Sequence, residues 1–199
     1  MREFMIALRV ALFTAIVCGL VYPFVTTGFA QVLFPARANG SLVTDEKGRV
    51  VGSELIAQGF SSAAYFQPRP SAAGNGYDAT ASSGSNLSPT SQKLRDRVTA
   101  EVARLQKENP GASGPVPAEL VMASGSGLDP EISPEAARWQ VTRVARARGV
   151  APERVAAVVE QLSQGRDLGV LGEPRVNVLL LNLAIDRQFG SPAPAAASR

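Results

Sequence analysis

The sequence predicts an α+β protein in which one N-terminal transmembrane helix is followed by a single extracytoplasmic α+β domain. The segment from Val10 to Ala36 carries no charged residue and is longer than the roughly 20 residues that a spanning helix needs. Short apolar runs separated by turn residues follow it, and later segments carry apolar residues at helical spacing. The chain of 199 residues, 45% of them hydrophobic, is long enough to bury one ordinary core beside the anchor.

The N-terminal segment has two interpretations. Arg2 and Arg9 form a basic start and Gly28-Phe29-Ala30 has the small residues of a cleavage site, as in a cleaved signal peptide. The apolar region of a signal peptide spans only about 7–15 residues, so we predict a retained anchor that Pro23 disturbs near its outer end. The anchor residues singled out are Val10, Tyr22, Pro23 and Phe34.

The orientation of the anchor follows from domain organisation rather than from charge. The basic residues on its two sides are nearly balanced, so the positive-inside rule does not decide. The rest of the chain has no second apolar span, and long domains translocate with little regard to charge. We therefore predict an anchor at 1–36, an extracytoplasmic domain at 37–190, and a disordered tail rich in Pro, Ala and Ser at 191–199.

The first half of the domain begins with a predicted β-hairpin. Asn39–Val43 and Arg49–Gly52 supply the strands, and Asp45–Gly48 contains the turn formers Asp and Gly. Ser61–Pro89 is a long stretch rich in Ser, Gly and Pro, which is either functional or disordered. An amphipathic surface helix then ends at Asn109-Pro110-Gly111. Its apolar stripe is formed by Leu94, Val98, Val102 and Leu105.

The second half is predicted to hold a strand and three helices. Glu119–Ala123 reads as a buried strand. Ser133 as N-cap with Pro134 at the first helical position opens a helix that runs to Gly149. A shorter helix runs from Pro152 to a glycine C-cap at Gly165, and a largely buried helix begins near Asn177.

Composition excludes several classes of chemistry. The chain has no histidine, and its only cysteine, Cys18, lies within the apolar N-terminal run. A Ser-His or Cys-His nucleophile pair and a zinc site are therefore not expected. The sequence contains neither a phosphate-binding G-x-x-x-x-G-K-[ST] loop nor a phosphorylatable Asp-Lys-Thr-Gly motif. The net charge is +3 without any block of like charge, so nucleic acid is not an expected partner.

Two Ser/Gly-rich loops are the most unusual segments of the domain. One interpretation is an anion or phosphate cradle, because glycine lets the backbone approach a ligand and successive N–H groups point at negative charge. The other is a pair of tight turns that need positive φ, with hydroxyl and carboxyl side chains satisfying the turn backbone. The candidate residues in these loops are Ser83, Gly84, Ser85, Asn86, Ser124, Gly125, Ser126, Gly127 and Asp129.

Arginines provide further candidates. Arg69, between two prolines, can bind a carboxylate or phosphate or can form a structural salt bridge. Four arginines crowd one helix, either as a surface for an anionic partner or as a solvated face: Arg138, Arg143, Arg146 and Arg148. Gln140 and Arg143 complete the candidate functional surface. Asp78 and Asp129 are possible paired carboxylates, although each is a common turn-capping residue.

A series of motifs, in order, resembles the C-subunit family of bacterial Kdp potassium-transporting ATPases. The similarity covers almost the whole chain and leaves out only the Pro/Ala tail. At Gln67 the sequence departs from the histidine often found in the family. The motifs are Tyr22-Pro23, Phe34-Pro35, Ala38–Ser41, Val51–Ile56, Tyr65–Ser71, Ser83–Leu87, Ser124–Pro130, Ile132–Pro134, Gln140, Arg143–Ala145, Leu171–Val178 and Leu181-Asn182-Leu183.

The resemblance implies a non-catalytic subunit of a high-affinity potassium uptake complex in the bacterial inner membrane. Its implied partners are a KdpA-like potassium-binding subunit, a KdpB-like P-type ATPase subunit, a small KdpF-like subunit and membrane lipid. ATP and potassium are then handled by the complex, and no cofactor is assigned to this chain. Two roles are described for the family, raising the ATP affinity of the catalytic subunit and capping the potassium entrance. The residues alone also fit an anchored binding or scaffold module unrelated to ion transport.

Overall fold

The computed structural model describes residues 1–45 and 47–192, so the predicted disordered tail lies mostly outside the described residues. The helices are α1 (Arg2–Ile16), α2 (Tyr22–Leu33), α3 (Pro35–Ala38), α4 (Gln92–Glu108), α5 (Pro134–Arg148), α6 (Pro152–Leu162) and α7 (Val178–Phe189). The strands are β1 (Leu42–Thr44), β2 (Val50–Ser53), β3 (Glu131–Ile132) and β4 (Val176–Asn177), paired antiparallel as β1–β2 and β3–β4. The α+β class is therefore confirmed.

The N-terminal segment is one helical rod from Arg2 to Leu33, with 32 residues, a mean hydropathy of 2.4 and no buried residue. Its length and composition are sufficient to cross a membrane. Between α1 and α2 the rod passes through a π-helical turn, Val17–Val21, just before Pro23. Because proline lacks an N–H and its ring crowds the carbonyl one turn earlier, a wider turn accommodates it. The disturbance predicted at Pro23 is thus present.

The predicted hairpin is confirmed and its turn is built around Asp45. One carboxylate oxygen of Asp45 accepts the N–H groups of Lys47 and Arg49, both at 2.9 Å, and the other accepts Nε of Arg49 at 2.8 Å. The backbone and side-chain hydrogen bonds from Arg49 lower the pKa of Asp45. Sequence-local chemistry is sufficient to close this turn.

The core forms where α6 packs against α5 and α7, with β3–β4 alongside. Helix α5 begins as predicted: Ser133 Oγ accepts the N–H of Ala136, Pro134 follows, and Gly149 ends the helix at a φ of 64°. Helix α7 is capped by Asn177, which accepts the N–H of Leu180. The largest fully buried apolar side chains are Phe66, Ile132, Val144, Val155, Val159, Val176, Val178, Leu181 and Ile185.

The predicted strand at Glu119–Ala123 is wrong, because the chain forms a 3₁₀ turn at Ala118–Leu120. Its backbone bonds are local: the Leu120 N–H donates to Pro117 O, and the Met122 N–H donates to Ala118 O. Apolar residues in a short run do not distinguish a strand from a buried turn unless a partner strand is known. The Glu119 carboxylate instead accepts the N–H and the hydroxyl of Ser133.

The predicted C-cap at Gly165 is also wrong. Helix α6 ends at Leu162, and Ser163 is extended, with a φ of −70° and a ψ of 121°. The Ser163 hydroxyl donates to Val159 O at 2.7 Å, so this side chain satisfies one of the last carbonyls of the helix. Gly165 lies beyond the helix end, and its φ is not positive.

Candidate functional site

The segment Tyr65–Gln67 runs between helices α5 and α7 and is bound by two side-chain amides. Asn182 of α7 accepts the N–H of Phe66 at 2.8 Å and donates to its carbonyl at 3.0 Å. Gln140 of α5 does the same for Gln67, at 2.8 and 3.1 Å. Both amides are almost fully buried. They therefore satisfy this buried backbone in the way that neighbouring strands would.

Arg143 of α5 also holds the Tyr65–Gln67 segment in place. Its guanidinium donates to the carbonyls of Ala63 and Tyr65, at 2.7 and 2.9 Å, and to the amide oxygens of Asn109 and Gln140, at 2.8 and 2.7 Å. No carboxylate of the described residues forms a salt bridge with it. Burial lowers the pKa of Arg143 to about 10, so the side chain stays charged at neutral pH.

The expectation of a solvated arginine face on α5 is correct only for Arg138 and Arg146. Arg143 is 7% exposed. The Arg148 side chain is equally enclosed, binding Asp186 at 2.7 Å and lying 5.0 Å from the centre of the Tyr65 ring. Gln140 and Arg143 are therefore placed under the candidate surface, where they position it, and not on its accessible face.

The Tyr65–Ser71 segment then reaches the surface at Arg69. Its Nη1 donates to the Asp129 carboxylate at 2.9 Å, and the two side chains are 27% and 31% exposed. The other carboxylate oxygen of Asp129 accepts the N–H of Glu131 at 3.1 Å. The carbonyl of Arg69 accepts the hydroxyl of Tyr77 at 3.0 Å. An ion pair thus joins two sequence-distant candidates, while Asp78 caps a separate turn through Thr80.

The two Ser/Gly loops, residues 82–87 and 124–130, pack against each other beside this ion pair. The carbonyl of Ser126 accepts the N–H of Ser83 and the hydroxyl of Ser82, both at 2.9 Å. A Cβ on Gly84 would lie 2.8 Å from the Gly125 carbonyl oxygen, so only glycine fits that contact. The pair of loops, together with Arg69 and Asp129, is called here the Arg69 surface.

The individual loop residues have different exposures. Ser124 is buried, and its N–H donates to Pro70 O at 3.3 Å. Gly125, Ser126 and Asn86 are exposed, and Asn86 has a positive φ of 48°. The N–H groups of Ser83 and Gly127 are already bonded within the loops, so these amides serve loop packing rather than convergence on an anion. The outer face left for a partner is made of glycine, hydroxyl and amide groups.

Asn182 and Tyr77 were not among the predicted site residues, although Asn182 lies in one of the motifs shared with the family. A polar residue inside the apolar stretch Val178–Ile185 is a signal for Asn182, because a buried amide needs partners that the helix itself does not supply. Tyr77 lies in a loop and leaves no such signal. Burial raises the pKa of Tyr77, and its hydroxyl stays protonated and donates to the main chain beside Arg69.

The Arg69 surface consists of an arginine–carboxylate ion pair and of glycine, hydroxyl and amide groups. The part of the chain that the structure describes contains no group of three Asp, Glu, Cys or His residues that could hold a metal. The chain has no histidine to act as a base for the loop serines. An arginine–carboxylate pair flanked by close-packed glycine loops is suited to recognising another protein surface.

Comparison with known proteins identifies a single family, to which the matching relatives also belong by their descriptions. Residues 4–187 match the family described as KdpC: K⁺-transporting ATPase, c chain. A "Potassium-transporting ATPase KdpC subunit" from Myxococcus xanthus is 66% identical over 98% of this chain and 92% of that protein. Proteins with the same description from Rhodospirillum rubrum and Caulobacter sp. strain K31 are 57% and 55% identical, over 86% and 89% of this chain and 88% and 89% of those proteins.

Proposed function

We infer the function from one premise: the chain belongs to the KdpC family, the c chain of K⁺-transporting ATPases, and is a subunit of a potassium-transport complex. We propose that it is the accessory, non-catalytic subunit, held in the inner membrane by its N-terminal helix with the domain outside the cytoplasm. In this proposal the domain docks through the Arg69 surface on the potassium-binding subunit and caps its entrance. ATP hydrolysis belongs to a partner subunit.

The observation that carries the docking proposal is the convergence of three separate segments. The second Ser/Gly loop is distant in sequence from Tyr65–Ser71 and from the first loop, yet it contacts both beside the Arg69–Asp129 pair. A buried amide and guanidinium network fixes the position of the first segment. Polar irregular segments held this rigidly are typical of a binding surface placed on a scaffold.

An outer domain does not reach a cytoplasmic nucleotide site, and this supports a cap over a direct nucleotide role. Any effect on ATP affinity would then pass through the assembled subunits. We expect the domain to act by stabilising the complex and controlling access of potassium to the transport path.

The docking proposal is tested by Arg69→Ala and Asp129→Ala in the full chain, expressed with its partner subunits. We expect recovery of the assembled complex, and potassium uptake at low external potassium, to fall by about 5- to 10-fold, as for removal of an interface arginine. The purified full-length variants should still melt cooperatively, because a partly exposed ion pair contributes only about 0–1 kcal/mol to stability.

Arg138→Ala is the matched control for this experiment. It removes an ion pair to Glu160 that is just as short, 2.7 Å, and more exposed. This variant should assemble and transport normally. Normal assembly and uptake in both Arg69→Ala and Asp129→Ala would refute docking through this surface. Loss of cooperative melting in those variants would assign the pair to the fold instead.

The orientation of the domain is tested by thiol labelling. Lys47 lies in the exposed hairpin turn, and its N–H, not its side chain, bonds Asp45, so Lys47→Cys should leave the turn intact. In a Cys18→Ser background, we expect an impermeant maleimide to label this cysteine in whole cells. Labelling that appears only after lysis would show that the domain is cytoplasmic.

A further inference from the structure

The segment 164–175, between α6 and β4, forms a projecting hairpin. Gln164 and Arg175 exchange two backbone hydrogen bonds, at 2.8 and 2.9 Å. Asp167 and Leu171 exchange a second pair of the same lengths nearer the tip. The segment is therefore a hydrogen-bonded hairpin that leads into β4. The docking role proposed above does not involve it.

The tip of this hairpin is apolar and unusually exposed. Leu168 is 90% exposed, Val170 71% and Leu171 58%. Single exposed apolar residues are ordinary on protein surfaces, but three large ones within four positions at a projecting tip form a patch. Such patches mark sites of contact with another protein or with lipid.

The backbone at Leu168 supports a role outside the fold. Leu168 has a φ of 52°, a left-handed conformation that leucine adopts rarely and that glycine or asparagine adopts more readily. Gly169 follows with a φ of 78°, so the turn itself is one that glycine-like residues favour. A leucine here is unfavourable for the turn and packs on nothing within the domain. Burial in a partner would compensate for it.

The charges around the tip indicate what kind of partner fits. Arg166 binds Glu173 at 2.8 Å. Arg175 binds Glu131 at 3.2 Å and Asp167 at 3.4 Å. An apolar tip that inserts among anionic lipids is normally flanked by cations free to bind phosphates. Here both arginines are paired, Arg166 with a carboxylate of the hairpin and Arg175 with carboxylates of the hairpin and of β3, which favours an apolar pocket on a protein over an anionic lipid surface.

We propose that the tip of the 164–175 hairpin, Leu168, Val170 and Leu171, inserts into an apolar pocket on another subunit of the potassium-transport complex. The inference rests on membership of that complex, the premise of the proposed function, and not on docking through the Arg69 surface. The two contacts are therefore separable by mutation. The ion pairs at the hairpin base hold the tip in position and leave neither arginine free to bind a phosphate.

The test is Leu168→Asn in the full chain expressed with its partner subunits. Asparagine tolerates the left-handed backbone, so the purified chain should melt at the same temperature or higher. Loss of the buried leucine should lower recovery of the complex by about 10-fold or more. Leu55→Asn, at an exposed leucine outside the 164–175 hairpin, is the matched control and should have no effect. Normal recovery of the Leu168→Asn complex would overturn the proposal.

A photoreactive benzophenone side chain at position 168 identifies the contacted surface in the purified complex. We expect a crosslink to another subunit of the complex. A crosslink only to lipid would assign the tip to the membrane, and no crosslink would leave it in solvent; either result refutes the proposal. If Leu168→Asn lowers recovery of the complex while Arg69→Ala does not, or the reverse, the hairpin contact is separate from docking through the Arg69 surface.

Discussion

Gly127→Ala is expected to lower the free energy of unfolding by about 2–4 kcal/mol and to prevent assembly of the Arg69 surface. Gly127 has a φ of 70°, which alanine adopts at a cost of about 1 kcal/mol. An added Cβ would also lie 2.6 Å from the carbonyl oxygen of Ser83 and 2.7 Å from the backbone nitrogen of Ala73. Because both are main-chain atoms, the backbone at Gly127 must move away from Ser83 and Ala73, at a further cost of about 1–3 kcal/mol.

Gly125→Ala is the control in the same loop. A Cβ there meets no atom within 4 Å, and its φ is not in the left-handed region. Its stability should stay within about 0.5 kcal/mol of the parent chain. Denaturant unfolding of the full-length chains, together with recovery of the complex, measures both effects. Equal stability of the two variants would show that the loops are not closely packed.

Local chemistry explains which elements the sequence predicted correctly. The α5 helix carries its start and stop within its own residues, Ser133-Pro134 and Gly149, and the hairpin turn is closed by the carboxylate of Asp45. Each signal depends on neighbours a few positions away. The apolar character of the N-terminal rod is likewise a property of its own composition.

The failures came where long-range partners decide the outcome. Glu119–Ala123 has the composition of a strand, but a strand needs a partner, and the chain turns back on itself there instead. Arg143 looks like one of several surface arginines until carbonyls about 80 positions earlier in sequence surround it. Nothing in the periodicity of α5 identifies those acceptors.

The candidate site likewise has features that local sequence indicated and features that depend on long-range partners. The sequence indicated Arg69, Asp129 and the Ser/Gly loops as unusual, and the structure brings them together. It did not indicate that Asn182, 116 positions from Phe66, holds the segment that leads to Arg69. Chemical character is local, whereas the geometry that makes a surface is set by tertiary packing.

Arg143→Met tests the buried support of that geometry, and we expect it to lower the free energy of unfolding by about 3–5 kcal/mol. Three acceptors would be left without a donor, namely the carbonyls of Ala63 and Tyr65 and the amide oxygen of Asn109. The Gln140 amide oxygen would also lose the guanidinium but would still accept the N–H of Gln67. A buried acceptor left without a donor costs about 1–3 kcal/mol, and the carbonyl of Ala63 costs less because this residue is exposed to water. Removing a desolvated cation returns part of that loss, so the total lies below the sum of the three.

Arg146→Met on the exposed side of the same helix is the matched control and should change stability by less than about 0.5 kcal/mol. Arg143→Lys keeps the charge but replaces a planar fork with one ammonium, so it should lie between the two. Thermal melts of the full-length chains give the order of stability of these three variants. If Arg143→Met melts like Arg146→Met, the network does not hold the Tyr65–Gln67 segment, and the Arg69 surface owes its position to the loop contacts alone.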